Sequence, residues 1–156
     1  MILADVQISK YPQEKITMTS DPILSDKKLV HVSRMPIRWG DMDAMGHVNN
    51  VTYFRYLEQA RIEWYSSIGR EHAGSETVVV SCYCHYYAPV VYPGNLEIKT
   101  YAGSPGRSSF EIVQEIRRTD APDVLCALGG SKVVWIDIET GKSMPVPSEV
   151  RQLMTP

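Results

Sequence analysis

The sequence has 156 residues, enough for one domain with a sizeable core, and 44% hydrophobic and 22% charged residues are typical of a soluble globular protein. The net charge is −2 without a basic cluster, which argues against nucleic-acid binding. No stretch approaches the roughly 20 apolar residues of a membrane-spanning helix, and the first residues do not have the pattern of a secretory signal peptide.

The three cysteines all lie in apolar, strand-like runs, at Cys82, Cys84 and Cys126. An odd number of cysteines at positions that look buried favours reduced thiols rather than a disulfide framework. We therefore expect a cytoplasmic protein whose cysteines pack as small hydrophobic residues.

The first part of the chain is polar and is interrupted by Pro12 and Pro22, so we interpret residues 1–28 as an N-terminal extension. A single domain is then predicted over residues 29–156. Its first strand is predicted at Leu29–Trp39. Pro36 cannot donate a hydrogen bond to a neighbouring strand, so this strand is expected at a sheet edge.

A polar loop, Gly40–Asn50, leads into the strongest helix signal of the chain. Residues 51–68 contain no proline or glycine, and a wide apolar face repeats at helical spacing. Asn49 or Asn50 can cap the start of this helix. Gly69 fits the left-handed position that follows a last helical turn.

The rest of the domain is predicted to be mainly strands joined by short turns. Thr77–Tyr87 is apolar on both faces, which indicates a central strand covered by the helix on one face and by a second subunit on the other. Alternating patterns predict three more strands, and Gly129-Gly130 suggests a bulge in the last of them. These three strands are Leu96–Gly103, Ser108–Arg118 and Val124–Ile138.

The C-terminal tail is predicted to form one or two helical turns within Pro147–Met154, with Ser148 as a possible cap. The order of elements is a strand, a long helix and then four strands with short connections. Strands joined in this way pair antiparallel, and the helix must cover one face of their sheet. The sequence therefore predicts an α+β fold.

The loop before the helix raises the question of a metal site. It begins like a calcium-binding loop at Asp41 and Asp43. That loop needs a ligand at its fifth position and a glutamate at its twelfth, and these positions hold Met45 and Thr52. His47 has no histidine or cysteine partner at the spacing of a zinc site. We therefore predict that no metal binds here.

The same loop suits acyl transfer. The free N–H groups at a helix start can stabilise an oxyanion, and a carboxylate just upstream can act as an acid, base or nucleophile. The residues alone leave alternatives open, because Asp43 could simply cap a turn and Glu58 could pair with Arg61 or Arg55 on the helix surface.

The residues around this loop resemble a known family, the hot-dog-fold acyl-CoA thioesterases of the 4-hydroxybenzoyl-CoA thioesterase type. The resemblance is carried by one ordered run: Asp41, Asp43, Gly46-His47-Val48-Asn49-Asn50, Tyr53, Tyr56-Leu57-Glu58 and Ala60-Arg61. It implies a hot-dog fold, in which an antiparallel sheet wraps around one long central helix. It also implies an acyl-CoA thioesterase in which Asp43 is the nucleophile or the general base, with the oxyanion held by a backbone N–H near Asn50.

Further site residues follow from the resemblance. His47 could orient Asp43 or the substrate, Tyr53 could line the acyl pocket, and Glu58 could assist substrate binding. The run Arg107, Ser108 and Ser109 is similar to the family's coenzyme A contacts, although an ordinary charged turn is an equal alternative. The resemblance implies no cofactor, since coenzyme A is part of the substrate. It also implies a homo-oligomer, a dimer or a dimer of dimers, with pantetheine threaded between two subunits.

Two other functions remain possible at this stage. A thioesterase that acts on acyl carrier protein predicts a basic surface patch, and the sequence has only scattered lysines and arginines. A non-catalytic acyl-CoA-binding module predicts loss of the catalytic acid, yet Asp43 is present. A hot-dog dehydratase would need a histidine–acid pair in a different motif, which this sequence does not contain.

Overall fold

The computed structural model describes residues 23–69 and 77–155. Most of the predicted N-terminal extension and the connection at residues 70–76 lie outside the described residues. The elements in chain order are β1 (Lys27–Pro36), a 3₁₀ turn (Trp39–Asp41), α1 (Asn50–Ser67), β2 (Thr77–Tyr86), β3 (Asn95–Gly103), β4 (Ser109–Arg118), β5 (Ala121–Trp135) and α2 (Ser148–Met154). No helix within the described ranges is both long and apolar enough to cross a membrane.

The five strands form one antiparallel sheet in the order β1-β3-β4-β5-β2. Alternate residues of β3, β4 and β5 point to the same face, and α1 packs against that face. This arrangement confirms the predicted α+β fold with one central helix. The core has two parts, one under the first half of α1 around Leu57 and Ile98, and one under its second half around Trp64 and Phe110.

The central helix follows its sequence signals closely. It begins one residue earlier than predicted, at Asn50, and Asn49 is the cap: its side-chain oxygen accepts the Val51 N–H at 2.9 Å. Gly69 adopts φ +71°, the left-handed conformation expected after the last turn. The buried residues of α1 are Tyr53, Tyr56, Leu57, Ala60, Trp64 and Tyr65.

The strand predicted at Thr77–Tyr87 was expected in the centre of the sheet. This prediction was wrong, because the corresponding strand β2 lies at an edge. It pairs with β5, and among the described strands it has no neighbour on its other side. Val80 and Tyr83 are exposed, and so is Cys82, which was predicted to be buried. Apolar residues on both faces show that a strand needs cover, but they do not distinguish cover by the same chain from cover by a partner.

The predicted bulge at Gly129-Gly130 was also wrong. Both glycines pair in regular register with β2 and β4, and the irregularities lie elsewhere, between Val79 and Ser81 and after Ile116. The glycines have a packing role instead: a Cβ at Gly129 would overlap the Leu57 side chain. The absence of a side chain at Gly129 therefore lets α1 approach the sheet closely, while a Cβ at Gly130 would overlap Tyr83 of β2.

The ends of the domain also differ from the prediction. Pro36 lies on an edge strand as expected, but β1 stops there, and Trp39 instead begins the 3₁₀ turn and is exposed. The C-terminal helix is present, but its cap residue is Pro147. Ser148 is already helical and its hydroxyl contacts Glu149, so the predicted serine cap was wrong.

Candidate active site

The loop between β1 and α1 folds back on itself as a small hairpin. Met42 and Val48 form an antiparallel bridge, and the Asp43 N–H donates to the His47 carbonyl oxygen at 2.8 Å. Gly46 closes the turn by donating to the Asp43 carbonyl oxygen at 3.1 Å, with φ +80°. Only a residue without a Cβ adopts that conformation easily, which explains the glycine at this position.

The side chain of Asp43, the predicted catalytic residue, is partly exposed in this hairpin. Its Oδ1 accepts the Met45 N–H at 2.8 Å, so the turn-capping alternative describes a contact that is present. Its Oδ2 accepts no hydrogen bond from residues 23–69 or 77–155. Within the described part of the chain, one oxygen therefore fixes the orientation of the carboxylate while the other has no donor.

The first turn of α1 follows Asp43 closely in the chain, and its backbone N–H groups differ in their acceptors. The Asn49 side chain takes the Val51 N–H, and the Asn49 carbonyl oxygen takes the Thr52 N–H at 2.9 Å. The N–H of Asn50 has no acceptor in the described part of the chain. It lies at the positive end of the helix dipole, where a developing negative charge is stabilised.

Asp41 shapes this loop rather than facing outward as a second reactive acid. Its Oδ2 accepts the Arg38 N–H at 3.0 Å and the Tyr56 hydroxyl at 2.6 Å. Its carbonyl oxygen accepts the Asn49 N–H at 2.9 Å. Burial raises the pKa of Tyr56, and its hydrogen bond to the Asp41 carboxylate raises the pKa further, so this hydroxyl keeps its proton.

Two tyrosines pack beneath the helix start. Tyr53 is buried, its hydroxyl oxygen accepts the Val90 N–H at 3.3 Å, and its ring meets that of Tyr86 edge-on at 5.0 Å. The Tyr86 hydroxyl donates to the Asn50 carbonyl oxygen at 3.0 Å, and burial raises the pKa of Tyr86 to about 12. The sequence analysis did not identify Tyr86 as a site residue, because nothing along the chain links it to the helix start.

Glu58 lies farther along the helix and is exposed. Its carboxylate is 3.8 Å from Arg61, which matches the surface ion pair considered as an alternative. Both residues line a cavity of about 530 Å³ between α1 and β2, and this cavity begins at Val51 and Phe54 near the helix start. Glu58 can therefore still contact a bound substrate from the wall of that cavity.

The predicted coenzyme A contacts do not join the other site residues within one chain. Ser109 begins β4, and the next residue, Phe110, packs against Trp64 near the other end of α1. Trp64 is fourteen residues beyond Asn50, about 21 Å along the helix axis. Arg107, Ser108 and Ser109 therefore form a second group at the opposite end of the sheet, a separation that the sequence analysis did not anticipate.

The turn that carries Arg107 is held by the C-terminal helix. The Arg151 guanidinium of α2 donates to the Pro105 carbonyl oxygen at 3.2 Å, to that of Gly106 at 2.7 Å and to that of Arg107 at 3.3 Å. The Val146 N–H donates to the Arg107 carbonyl oxygen at 2.9 Å. Arg107 itself is exposed, so its guanidinium is accessible to a ligand.

No group of three or more histidine, cysteine, aspartate or glutamate side chains is placed to hold a metal ion within residues 23–69 and 77–155. Among the described residues, the loop combines a carboxylate whose Oδ2 has no donor with a helix-start N–H that has no acceptor. This pair suits attack on a carbonyl carbon, with the N–H receiving the charge that develops on oxygen.

Comparison with known proteins identifies the family. Residues 37–154 match the thioesterase-like superfamily. The chain belongs to this superfamily. The thioesterase-like match spans the hairpin, the central helix and all the later strands, so the hot-dog fold expected from the sequence is confirmed.

Solved structures of other thioesterase-like proteins agree. The PA2801 protein from Pseudomonas aeruginosa, provisionally described as a thioesterase, is 37% identical, with a TM-score of 0.76 over 80% of this chain and 98% of its own. A protein from Xanthomonas campestris, provisionally described as an acyl-CoA thioesterase, is 35% identical, with a TM-score of 0.62 over 74% of this chain and 100% of its own. A Thermus thermophilus thioesterase solved with coenzyme A and zinc shares the fold at 24% identity, with a TM-score of 0.72 over 81% of this chain and 92% of its own.

Proposed function

We propose that this thioesterase-like chain is an acyl-CoA thioesterase, which hydrolyses a thioester to a carboxylic acid and free coenzyme A. The observation that carries the proposal is the pairing, in one short loop and helix start, of an Asp43 carboxylate with an open oxygen and an Asn50 N–H with no acceptor in the described chain. The description of the Xanthomonas protein as an acyl-CoA thioesterase and the coenzyme A bound to the Thermus protein support this substrate class.

In the proposed reaction, the thioester carbonyl oxygen lies against the Asn50 N–H. Asp43 either attacks the carbonyl carbon, giving an acyl anhydride that water then hydrolyses, or removes a proton from the water that attacks. In both routes the carbon–sulfur bond breaks, the coenzyme A thiolate takes a proton, and the acid leaves. An oxyanion donor of this kind contributes about 3–4 kcal/mol to transition-state stabilisation.

The remaining site residues have supporting roles in this proposal. His47 adjoins Asp43 across the hairpin and orients the carboxylate or the substrate. Tyr53 lies under the helix start, where it helps to shape the acyl pocket, and Glu58 contacts the substrate from the cavity wall. The proposal includes no separate cofactor, because coenzyme A is part of the substrate.

The site is proposed to be completed by a second copy of the chain. Within one chain, Arg107, Ser108 and Ser109 lie at the far end of α1 from Asp43, so another protomer would bring its own three residues to the nucleotide of coenzyme A. The outer edge of β2, which has exposed apolar side chains and no neighbour among the described strands, is the surface proposed for this contact. The assembly is then a dimer or a dimer of dimers.

The experiment that tests the proposal measures thiol release from short-chain, long-chain and aromatic acyl-CoAs, and from the same acyl groups on acyl carrier protein. The wild type is expected to hydrolyse at least one acyl-CoA. Preference for the carrier-protein substrates would instead indicate an acyl-carrier-protein thioesterase. Binding of acyl-CoA without release of thiol would indicate a non-catalytic binding module.

The two roles of Asp43 are separated by rapid-mixing kinetics on the best substrate of that panel. If Asp43 is the nucleophile and hydrolysis of the anhydride is slow, a burst of free coenzyme A precedes the steady rate. Detection of the covalent intermediate by mass spectrometry of the quenched protein assigns the burst to Asp43.

A further inference from the structure

We propose that Tyr56 is a positioning residue for this site: its hydroxyl holds Asp41 and thereby sets the geometry of both the Asp43 hairpin and the helix start. The inference rests on the proposed function. Tyr56 is not placed against the substrate, and it acts through the backbone of the loop.

Asp41 joins three parts of the chain that must meet at the site. Its Oδ2 receives the Tyr56 hydroxyl at 2.6 Å from the second turn of α1 and the Arg38 N–H at 3.0 Å from the segment after β1. Its carbonyl oxygen receives the Asn49 N–H at 2.9 Å from the helix cap. The strand end, the loop and the helix are therefore tied together at one residue.

This junction controls the two groups proposed to do the chemistry. Asn49 is the cap that occupies the Val51 N–H, so the orientation of Asn49 decides which first-turn donor stays open. On the other side, Asp43 follows Asp41 by two residues, and Met42 between them is bridged to Val48. A shift of Asp41 would thus move the carboxylate and the open N–H relative to each other.

Tyr56 is suited to serve as the fixed point. Its side chain is only 5% exposed and packs in the core cluster beside Leu57 and Ile98, so the ring cannot follow the loop if the loop moves. The hydrogen bond is short and its acceptor is a carboxylate, the stronger type of hydrogen bond. Rigid support matters because a displacement of about 1 Å in an active site can reduce the rate by about 100-fold.

The chain offers a matched control for this hydroxyl. Tyr65 is a second buried tyrosine of the same helix, 2% exposed, but it packs in the other core cluster, with Trp64 and Phe110. Tyr65→Phe removes a buried hydroxyl from α1 without touching Asp41. A loss of activity that comes only from general destabilisation of α1 would appear in both phenylalanine variants.

The test measures kcat and KM of the full chain for its best acyl-CoA, at a temperature where all variants are folded. Tyr56→Phe is expected to lower kcat by about 10- to 100-fold with KM changed less than about 2-fold. Tyr65 also lines the cavity beside Glu58. Because Tyr65→Phe keeps the ring there, this variant is expected to keep kcat within about 2-fold of the wild type. Asp41→Asn, which keeps an oxygen acceptor for the tyrosine, is expected to retain more activity than Asp41→Ala.

A second measurement is independent of catalysis: amide hydrogen exchange at Arg38 and Asn49, whose N–H groups donate to Asp41. Exchange at both amides is expected to speed up in Tyr56→Phe and to stay unchanged in Tyr65→Phe. A wild type that hydrolyses no acyl-CoA would refute the proposed function. The exchange rates would still show whether Tyr56 fixes the loop. Unchanged exchange, or a wild-type kcat in Tyr56→Phe, would overturn the positioning role.

Discussion

The two oxygens of the Asp43 carboxylate have different surroundings, and this difference reconciles two interpretations of the residue. The Met45 N–H holds Oδ1, as in an ordinary aspartate turn, while Oδ2 has no donor from the described residues. Turn capping and catalysis are therefore compatible, because the cap fixes the side-chain orientation and leaves one oxygen for the substrate or water. The sequence could supply the residue type and the motif, but not this division of roles.

The proposed oxyanion donor can be removed without removing the helix. Asn50 is the first residue of α1, where proline is well tolerated, and Asn49 already has φ −57° and ψ 136°, a conformation allowed before proline. Asn50→Pro therefore deletes the N–H and is expected to lower kcat by about 100- to 1,000-fold. The measurement is steady-state hydrolysis of acyl-CoA, with circular dichroism to check the helix.

Asn50→Ala is the control for this prediction, because it removes the side chain and keeps the N–H. It is expected to stay within a few-fold of the wild type, since Asn49 rather than Asn50 provides the cap. Equal activity of the proline and alanine variants would exclude the Asn50 N–H as the oxyanion donor.

The packing of α1 on the sheet depends on close approach at β5. Leu57 faces Gly129 so closely that a Cβ there would overlap its side chain, and the Leu57 carbonyl oxygen accepts the buried Gln114 amide at 3.0 Å. These contacts fix the height of the helix above the sheet. The helix carries the proposed donor, so the same contacts also fix the site relative to the rest of the fold.

Gly129→Ala is expected to lower the free energy of unfolding by roughly 1–3 kcal/mol, because the added methyl group forces Leu57 or the helix to move. Urea denaturation of the full chain measures this. Gly40→Ala is the control: a Cβ at Gly40 would have no neighbour within 4 Å, so its effect is expected to be small. A Gly129→Ala variant as stable as the wild type would show that the helix is not held this closely.

The helices and strands were predicted well where a pattern along the chain determines them. The helix over residues 51–68 followed from its spacing and its lack of breakers, and the observed α1 is shifted by only one residue. The observed strand limits differ from the predicted ones by up to three residues. At the end of β5, for example, the apolar pattern continues to Ile138, whereas the pairing with β4 ends at Val134. The glycines at 129 and 130 were misinterpreted as a bulge, since sequence shows a missing side chain but not the atom that occupies its place.

In the whole molecule, the predicted site residues fall into two groups at opposite ends of α1. Asp43 and Asn50 lie at its start, whereas Arg107 follows the turn that Arg151 holds near its end. The motif predicted both groups, but their separation depends on the direction of the helix across the sheet, which no local pattern encodes. A second copy of the chain is the proposed way to bring the groups together.

The β2 edge provides a test of that assembly. Val80 is 55% exposed on β2, which has no neighbour on its outer side among the described strands, and a lysine there would place a charge in the proposed interface. Val80→Lys is expected to shift the protein toward monomers in size-exclusion chromatography with light scattering. It is also expected to weaken hydrolysis, because in the proposed assembly the partner supplies the nucleotide contacts.

Val32→Lys is the matched control, since Val32 is 43% exposed on β1, the opposite edge of the same sheet. It is expected to leave the oligomeric state unchanged. Dissociation by Val32→Lys but not by Val80→Lys would contradict the proposed interface, because it would place the contact at β1 and not at β2.

The role of Asp43 is decided by the rate of coenzyme A release from the best acyl-CoA, measured for the wild type and for Asp43→Asn. The amide keeps an oxygen to accept the Met45 N–H, so the hairpin should persist while the carboxylate is lost. We expect kcat to fall by about 100-fold or more, the contribution of a general base or nucleophile. Full activity in Asp43→Asn would contradict the account, and Glu58 would be the next residue to change.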